Sequence, residues 1–234
     1  MLVARSTASP RLPGVRGLFM NHRFAMWPLG TSTRDRGVTV AELLAEDRQQ
    51  QLELTARNPT ASPCGRLLLP LAAAPSSTDQ LQRQQLWVDD VTRTEECWAR
   101  LMAQPQMGFM ALTVFGHQPK TAKLPPRATH VPDRVGTRLL LANASVNLWD
   151  FHVPSLSSCE LHEHLHPYVF INRTACQTQG LDAELQPEGP VTSFNARDFR
   201  CVEVTRDATA APCIHAFQNP GEDAVQQYIV EFVA

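Results

Sequence analysis

Cys159-Glu160-Leu161-His162-Glu163-His164-Leu165-His166-Pro167-Tyr168-Val169-Phe170-Ile171 carries three histidines at alternate positions, with a tyrosine two residues further on. Side chains along a β-strand point alternately to opposite faces. One strand through this run would therefore put His162, His164, His166 and Tyr168 on a shared face. The flanks Trp149-Asp150-Phe151-His152-Val153 and Val169-Phe170-Ile171 are rich in β-branched and aromatic residues, which supports a strand. A neutral imidazole is the commonest side-chain metal ligand. A lone histidine on a strand face needs only a hydrogen bond. Three in alternation, with a further histidine at His215, point to a metal site.

The rest of the composition narrows the setting. The chain has 234 residues, enough for one large domain or two small ones. Its formal net charge is −2, so there is no electrostatic case for nucleic acid as a partner. No apolar run approaches the ~20 residues needed to cross a bilayer, so no membrane span is expected. The 18 prolines favour many turns over long helices. Six cysteines are scattered without Cys-x-x-Cys spacing, which argues against a zinc ribbon and for small, reduced, buried thiols. Asn143-Ala144-Ser145 and Asn172-Arg173-Thr174 match the glycosylation triplet, and Asn172 falls inside the expected barrel.

His215 stands in Pro212-Cys213-Ile214-His215-Ala216-Phe217-Gln218-Asn219. The pair His162-x-His164 and His215-x-x-x-Asn219, set among short strands, resembles the cupin superfamily. The first cupin motif is a glycine, then His-x-His, then a Glu four or five positions on; the second ends in His-x-x-x-Asn. Val146 to Phe151 resembles the strand leading into the first motif. Asn195-Ala196-Arg197-Asp198 stands where cupins carry a Pro-Gly-Asp turn, and Gln227 to Phe232 resembles the closing strand. The resemblance covers about residues 136–234 and implies an all-β jelly-roll barrel. It also implies His162, His164 and His215 as metal ligands. Tyr168 occupies the position of the usual Glu, so Tyr168 or His166 becomes the candidate fourth group. The metal would be a divalent transition ion: iron, manganese, nickel, copper or zinc.

Upstream, Thr39-Val40-Ala41-Glu42 and Thr92-Arg93-Thr94-Glu95 are capping boxes that open two expected helices. Strands are expected near Asn21–Trp27, Arg66–Leu71, Gln85–Asp89 and Phe109–Gly116. The order strand, helix, strand, strand, helix, strand predicts an α+β, ferredoxin-like domain. It also resembles the small YCII-related domain through Gly65 to Leu71, Leu86 to Asp90, Glu95 to Trp98 and Gln104-Pro105. That family's histidine and Asp-Pro are replaced here by glutamines, so packing, dimerisation or pocket lining is implied rather than chemistry. Residues 1–34 hold five arginines and no acid before Asp35, the composition of an organelle-targeting leader.

The expected organisation is a leader or unstructured segment over 1–20, a YCII-like α+β domain over 21–118, a proline-rich linker over 119–135 and a cupin barrel over 136–234. The expected partner is a small molecule, the expected assembly a homodimer. The location is the cytoplasm or, if the leader is real, a mitochondrion or plastid. Two functions fit the residues. One is a dioxygenase-, lyase- or isomerase-like metalloenzyme in which Tyr168 and His166 assist catalysis as donor, base or orienting group. The other is a module that holds a metal or small ligand without turnover.

Overall fold

The computed structural model describes residues 19–20, 23–29, 56, 62–70, 87–88, 109–116, 131–204 and 212–233. The chain divides into two compact units, chiefly Thr7–Gln118 and Pro119–Val233. Most of the expected leader, both expected helices and the linker up to residue 130 lie outside the described residues.

The first unit contains β1 (Phe19–Met20), β2 (Phe24–Leu29), β3 (Ser62–Pro70), β4 (Trp87–Val88) and β5 (Phe109–Gly116). They form one antiparallel sheet in the order β1-β2-β5-β3-β4. The register sets Phe24, Val114 and Gly65 in one row, Met26, Leu112 and Leu67 in the next. This face is fully buried. Pro63-Cys64-Gly65 is a shift of register inside β3 rather than a free turn. A split βαβ plait places its third strand between the first and second. Here β5 lies between β2 and β3, and β4 is at the edge. The ferredoxin-like, YCII-related expectation is therefore not supported by the strand order.

The second unit is all strand among the described residues. Its elements are β6 (Arg138–Ala142), β7 (Val146–Val153), β8 (His162–His164), β9 (Tyr168–Asn172), β10 (Cys176–Leu181), β11 (Pro187–Phe194), β12 (Phe199–Val202), β13 (Cys213–Gln218) and β14 (Val225–Phe232). Two antiparallel sheets result, β11-β10-β13-β8 and β12-β9-β14-β7-β6. The chain passes from one sheet to the other at β7–β8, β8–β9, β9–β10, β11–β12, β12–β13 and β13–β14. That interlocked double Greek key is the jelly roll.

The inner face of the larger sheet follows from its register. Asn147, Trp149, Phe151 and Val153 of β7 pair with Glu231, Ile229, Gln227 and Val225 of β14. Tyr168, Phe170 and Asn172 of β9 lie in the same rows. The opposite face, with Val146, Leu148, Val169, Ile171, Val230 and Phe232, is equally buried. These strands accordingly read as near-continuous apolar runs.

Two local features depart from expectation. Gly189-Pro190, a pair that ordinarily marks a turn, lies within β11 at an irregularity opposite Gln179, with Gly189 at φ +74°. Arg197, where the family's turn has glycine, adopts φ +74°, a region that favours glycine over side chains with a Cβ. The turn holds because Arg197 N–H donates to Asn172 O at 2.7 Å and Asn195 N–H to Asp198 Oδ2 at 2.7 Å. Arg197→Gly is expected to raise the free energy of unfolding by about 0.5–1 kcal/mol, the relieved strain exceeding the added unfolded-chain entropy. Urea unfolding of the two proteins checks this. Asn172 is fully buried and its amide bonds Asp198 O and Gln227, so the second glycosylation triplet is not accessible in the fold.

Candidate metal centre

The histidine run is not one strand. β8 ends at His164, the chain turns through Leu165-His166-Pro167, and β9 begins at Tyr168 in the other sheet. Pro167 has no N–H to extend a ladder. The turn separates the four residues expected on one face. His162 and His164 stay together on β8. His166 swings out to line a pocket of about 460 Å³ with Trp149, Arg134, Arg138 and Glu231. Tyr168 returns from the opposite sheet and lays its ring flat on His164, with centroids 3.8 Å apart and planes 12° apart.

The third histidine arrives by register. β13 pairs antiparallel with β8, placing His215 opposite His162 and Cys213 opposite His164. All three imidazoles therefore point into the barrel. Their Nε2 atoms form a triangle: 3.2 Å between His162 and His164, 3.1 Å between His164 and His215, and 3.1 Å between His215 and His162. His162 and His164 are 4% and 2% exposed.

This triangle cannot be a ring of hydrogen bonds. An in-plane imidazole nitrogen carries either a proton or a lone pair. His162 Nδ1 lies 2.9 Å from Glu160 O, which can only accept, so Nδ1 holds the proton and Nε2 is bare when the ring is neutral. Neutrality follows from the surroundings. Burial lowers His162; burial and its two neighbours hold His164 well below the ordinary 6.5; burial and His162 lower His215 to about 4. With His164 and His215 in the same tautomer as His162, three lone pairs converge on one point. Metal–nitrogen bonds of about 2.0–2.1 Å put neighbouring donors about 2.9–3.4 Å apart between octahedral and tetrahedral angles. The observed separations fall in that range, so the residues fit a transition ion.

The same lowered values have a consequence for stability. The folded rings bind protons less tightly than the unfolded chain near 6.5, so acid favours unfolding. The contribution of the neutral rings is complete above about 6.5 and declines toward pH 4. Glu231, raised by burial, works in the opposite sense in the carboxylate range. His215 alone is expected to cost the metal-free protein about 2 kcal/mol between pH 7 and pH 5, with His162 and His164 adding in the same direction, each unit of pKa shift being worth about 1.4 kcal/mol. Urea unfolding across that range measures it.

Burial pushes the Tyr168 phenol well above its ordinary value, with Cys213 and Glu231 adding to the effect. In the metal-free fold it is a neutral hydroxyl. The five cysteines among the described residues are free, and burial raises Cys159, Cys176, Cys201 and Cys213, with Cys201 pushed up to about 12. They are small packing residues, as Cys159 shows: its Sγ accepts Phe217 N–H at 3.2 Å. Asn219 is a structural tie, its amide donating to Pro154 O at 3.0 Å and Asp223 O at 2.8 Å.

One residue of the site escapes a reading by motif. Glu231 of β14 is 3% exposed, and its Oε1 stands 4.0 Å from His164 Nδ1. Its Oε2 accepts from Trp149 Nε1–H at 2.9 Å and Asn147 Nδ2–H at 3.3 Å. Trp149 is itself set by Gly136, where any Cβ would come within 2.6 Å of the Trp149 Cβ. The signal for Glu231 was an acid in an otherwise apolar closing strand, Tyr228-Ile229-Val230-Glu231-Phe232.

Strand order defines the second unit, among its described residues, as a jelly roll. No protein-family model matches the chain. No curated protein matches it either. Solved structures similar to it include a cupin domain from Bordetella pertussis, at 14% identity over 42% of this chain and 91% of that one, with a TM-score of 0.34. A second is an RmlC-like cupin from Methanocaldococcus jannaschii, at 11% identity over 51% and 89%, with a TM-score of 0.30. A third is the DMSP lyase DddQ from Ruegeria pomeroyi, at 10% identity over 82% and 90%, with a TM-score of 0.31. The jelly-roll assignment rests on the strand order itself.

Proposed function

We propose that this protein is a metal-binding cupin in which His162, His164 and His215 hold one divalent transition ion, and that the site acts on a small molecule. The observation that carries the reading is the triangle of three neutral imidazoles whose Nε2 atoms stand 3.1–3.2 Å apart inside the barrel. Three neutral donors leave the ion its full positive charge and fewer ligands than it prefers. An ion so held supplies Lewis acidity, able to polarise a carbonyl or lower the pKa of a water. The chain's own groups do the rest. Tyr168 clamps the His164 ring by stacking and keeps a neutral hydroxyl in the barrel. Phe151 packs tilted against His162 and Phe217, lining the barrel with apolar surface that excludes water. His166 serves the neighbouring pocket as a polar contact for a ligand.

Turnover is consistent with three donors and free coordination positions. A binding module without turnover is the second reading, favoured by the deep burial of His162 and His164 and by the absence of a carboxylate from the candidate cluster among the described residues. Titration with cobalt(II), followed by azide, tests both. Cobalt absorption at one ion per chain that shifts on adding azide is the result expected of an open catalytic site. Bands that azide leaves unchanged favour the binding module. No cobalt bands at all would contradict the metal reading.

A further inference from the structure

We infer that Glu231 is a positioning residue for the metal centre: its carboxylate accepts a hydrogen bond from His164 Nδ1–H and so aims the His164 Nε2 lone pair at the ion. The inference rests on the metal reading above. His164 Nδ1 is buried and has no hydrogen-bond partner. Its counterpart on His162 is pinned by Glu160 O at 2.9 Å; no carbonyl does the same for His164. The polar atom set toward it is Glu231 Oε1, at 4.0 Å. The other oxygen is already committed to Trp149 and Asn147, so the carboxylate is held with one face toward the indole and the other toward the imidazole.

The chemistry requires a partner there. A histidine that ligates through Nε2 must carry its proton on Nδ1, and metal-bound histidines almost always donate that proton to a carboxylate, carbonyl or water. Stacking on Tyr168 fixes the plane of the ring but not which nitrogen is protonated. A movement of about 1 Å brings the pair from 4.0 Å into hydrogen-bond range.

Only a carboxylate can accept from both sides. In E231Q the amide has one carbonyl and one NH2 group. If its oxygen stays with Trp149 Nε1–H, the NH2 faces His164 Nδ1 and selects the tautomer whose Nε2 bears the proton and cannot ligate. If Trp149 is also replaced by Phe, the amide is free to turn its oxygen to His164, and Asn147 can turn its own oxygen to the NH2.

Zinc affinity of the full-length protein, measured by competition with a chelator, gives the test. E231Q is expected to bind 10–100-fold more weakly, the range for losing a group that orients a ligand. W149F/E231Q is expected to recover most of that loss, which a merely structural role would not do. Wild-type affinity in E231Q, or a double variant no better than the single one, would overturn the inference. Should E231Q fail to fold, nitrogen-15 spectra of the zinc-loaded wild type decide it. A slowly exchanging proton on His164 Nδ1 supports the assignment, and a bare or metal-bound Nδ1 overturns it. Failure of the wild type to bind zinc would instead sink the metal reading.

Discussion

His164→Ala is expected to lower zinc affinity by two to three orders of magnitude. Complete metal sites deliver about 10 kcal/mol or more of binding free energy, and one of three donors accounts for roughly a third. His164 is the most deeply buried of the three, lies 3.2 and 3.1 Å from the other two Nε2 atoms, and is braced by Tyr168 on its face. Water cannot replace it without a path to the cavity its removal opens. Chelator competition measures the loss. The effect should be nearly as large for His215→Ala, because that nitrogen closes the same triangle from the neighbouring strand. A fall below threefold in either variant would mean that the triangle is not the binding site.

Tyr168→Ala should lower the free energy of unfolding by about 3–5 kcal/mol, the usual cost of removing a large buried aromatic side chain. Tyr168→Phe should cost about 1 kcal/mol or less and leave metal affinity within a few fold, because the stacked ring remains. Tyr168 packs in a cluster with Phe151, Val153, Val225 and Ile229, so its loss leaves a cavity bounded on one side by His164. Metal affinity should fall in the alanine variant alone. A large drop for Tyr168→Phe would give the hydroxyl a direct part in holding the ion. Urea unfolding and chelator competition on both variants separate the two outcomes.

The three clustered histidines were legible through an alternation on one strand and through His215-x-x-x-Asn219, whose resemblance to a second cupin motif marked a partner far along the chain. What the alternation concealed was the turn at Leu165-His166-Pro167. The apolar run Tyr168 to Ile171 continues the β pattern without a break in hydrophobicity, so periodicity alone could not show that the chain had changed sheets. The proline was the one local mark of it, and its consequence is large: His166 parts from the other three histidines to line a pocket with Trp149 and Glu231, and Tyr168 meets His164 face to face from across the barrel. Glu231 was invisible for a different reason. It lies 67 positions from His164 along the chain, and only the β9-β14-β7 pairing brings it beside Trp149 and behind the ring. In the first unit β2 to β5 fell at or near the apolar runs that predicted them, while β1 (Phe19–Met20) lies inside the segment expected as a leader. Their order did not follow from the run of elements, since β5 inserts between β2 and β3 through non-local pairing that no spacing records.

The most direct measurement is the transition-metal content of the purified wild-type protein by elemental mass spectrometry, with each candidate ion then offered to the metal-free form. One ion per chain, bound by His162, His164 and His215 and lost on their replacement, is the predicted result. A chain that carries no metal and takes up none of iron, manganese, nickel, copper or zinc would contradict the metal centre.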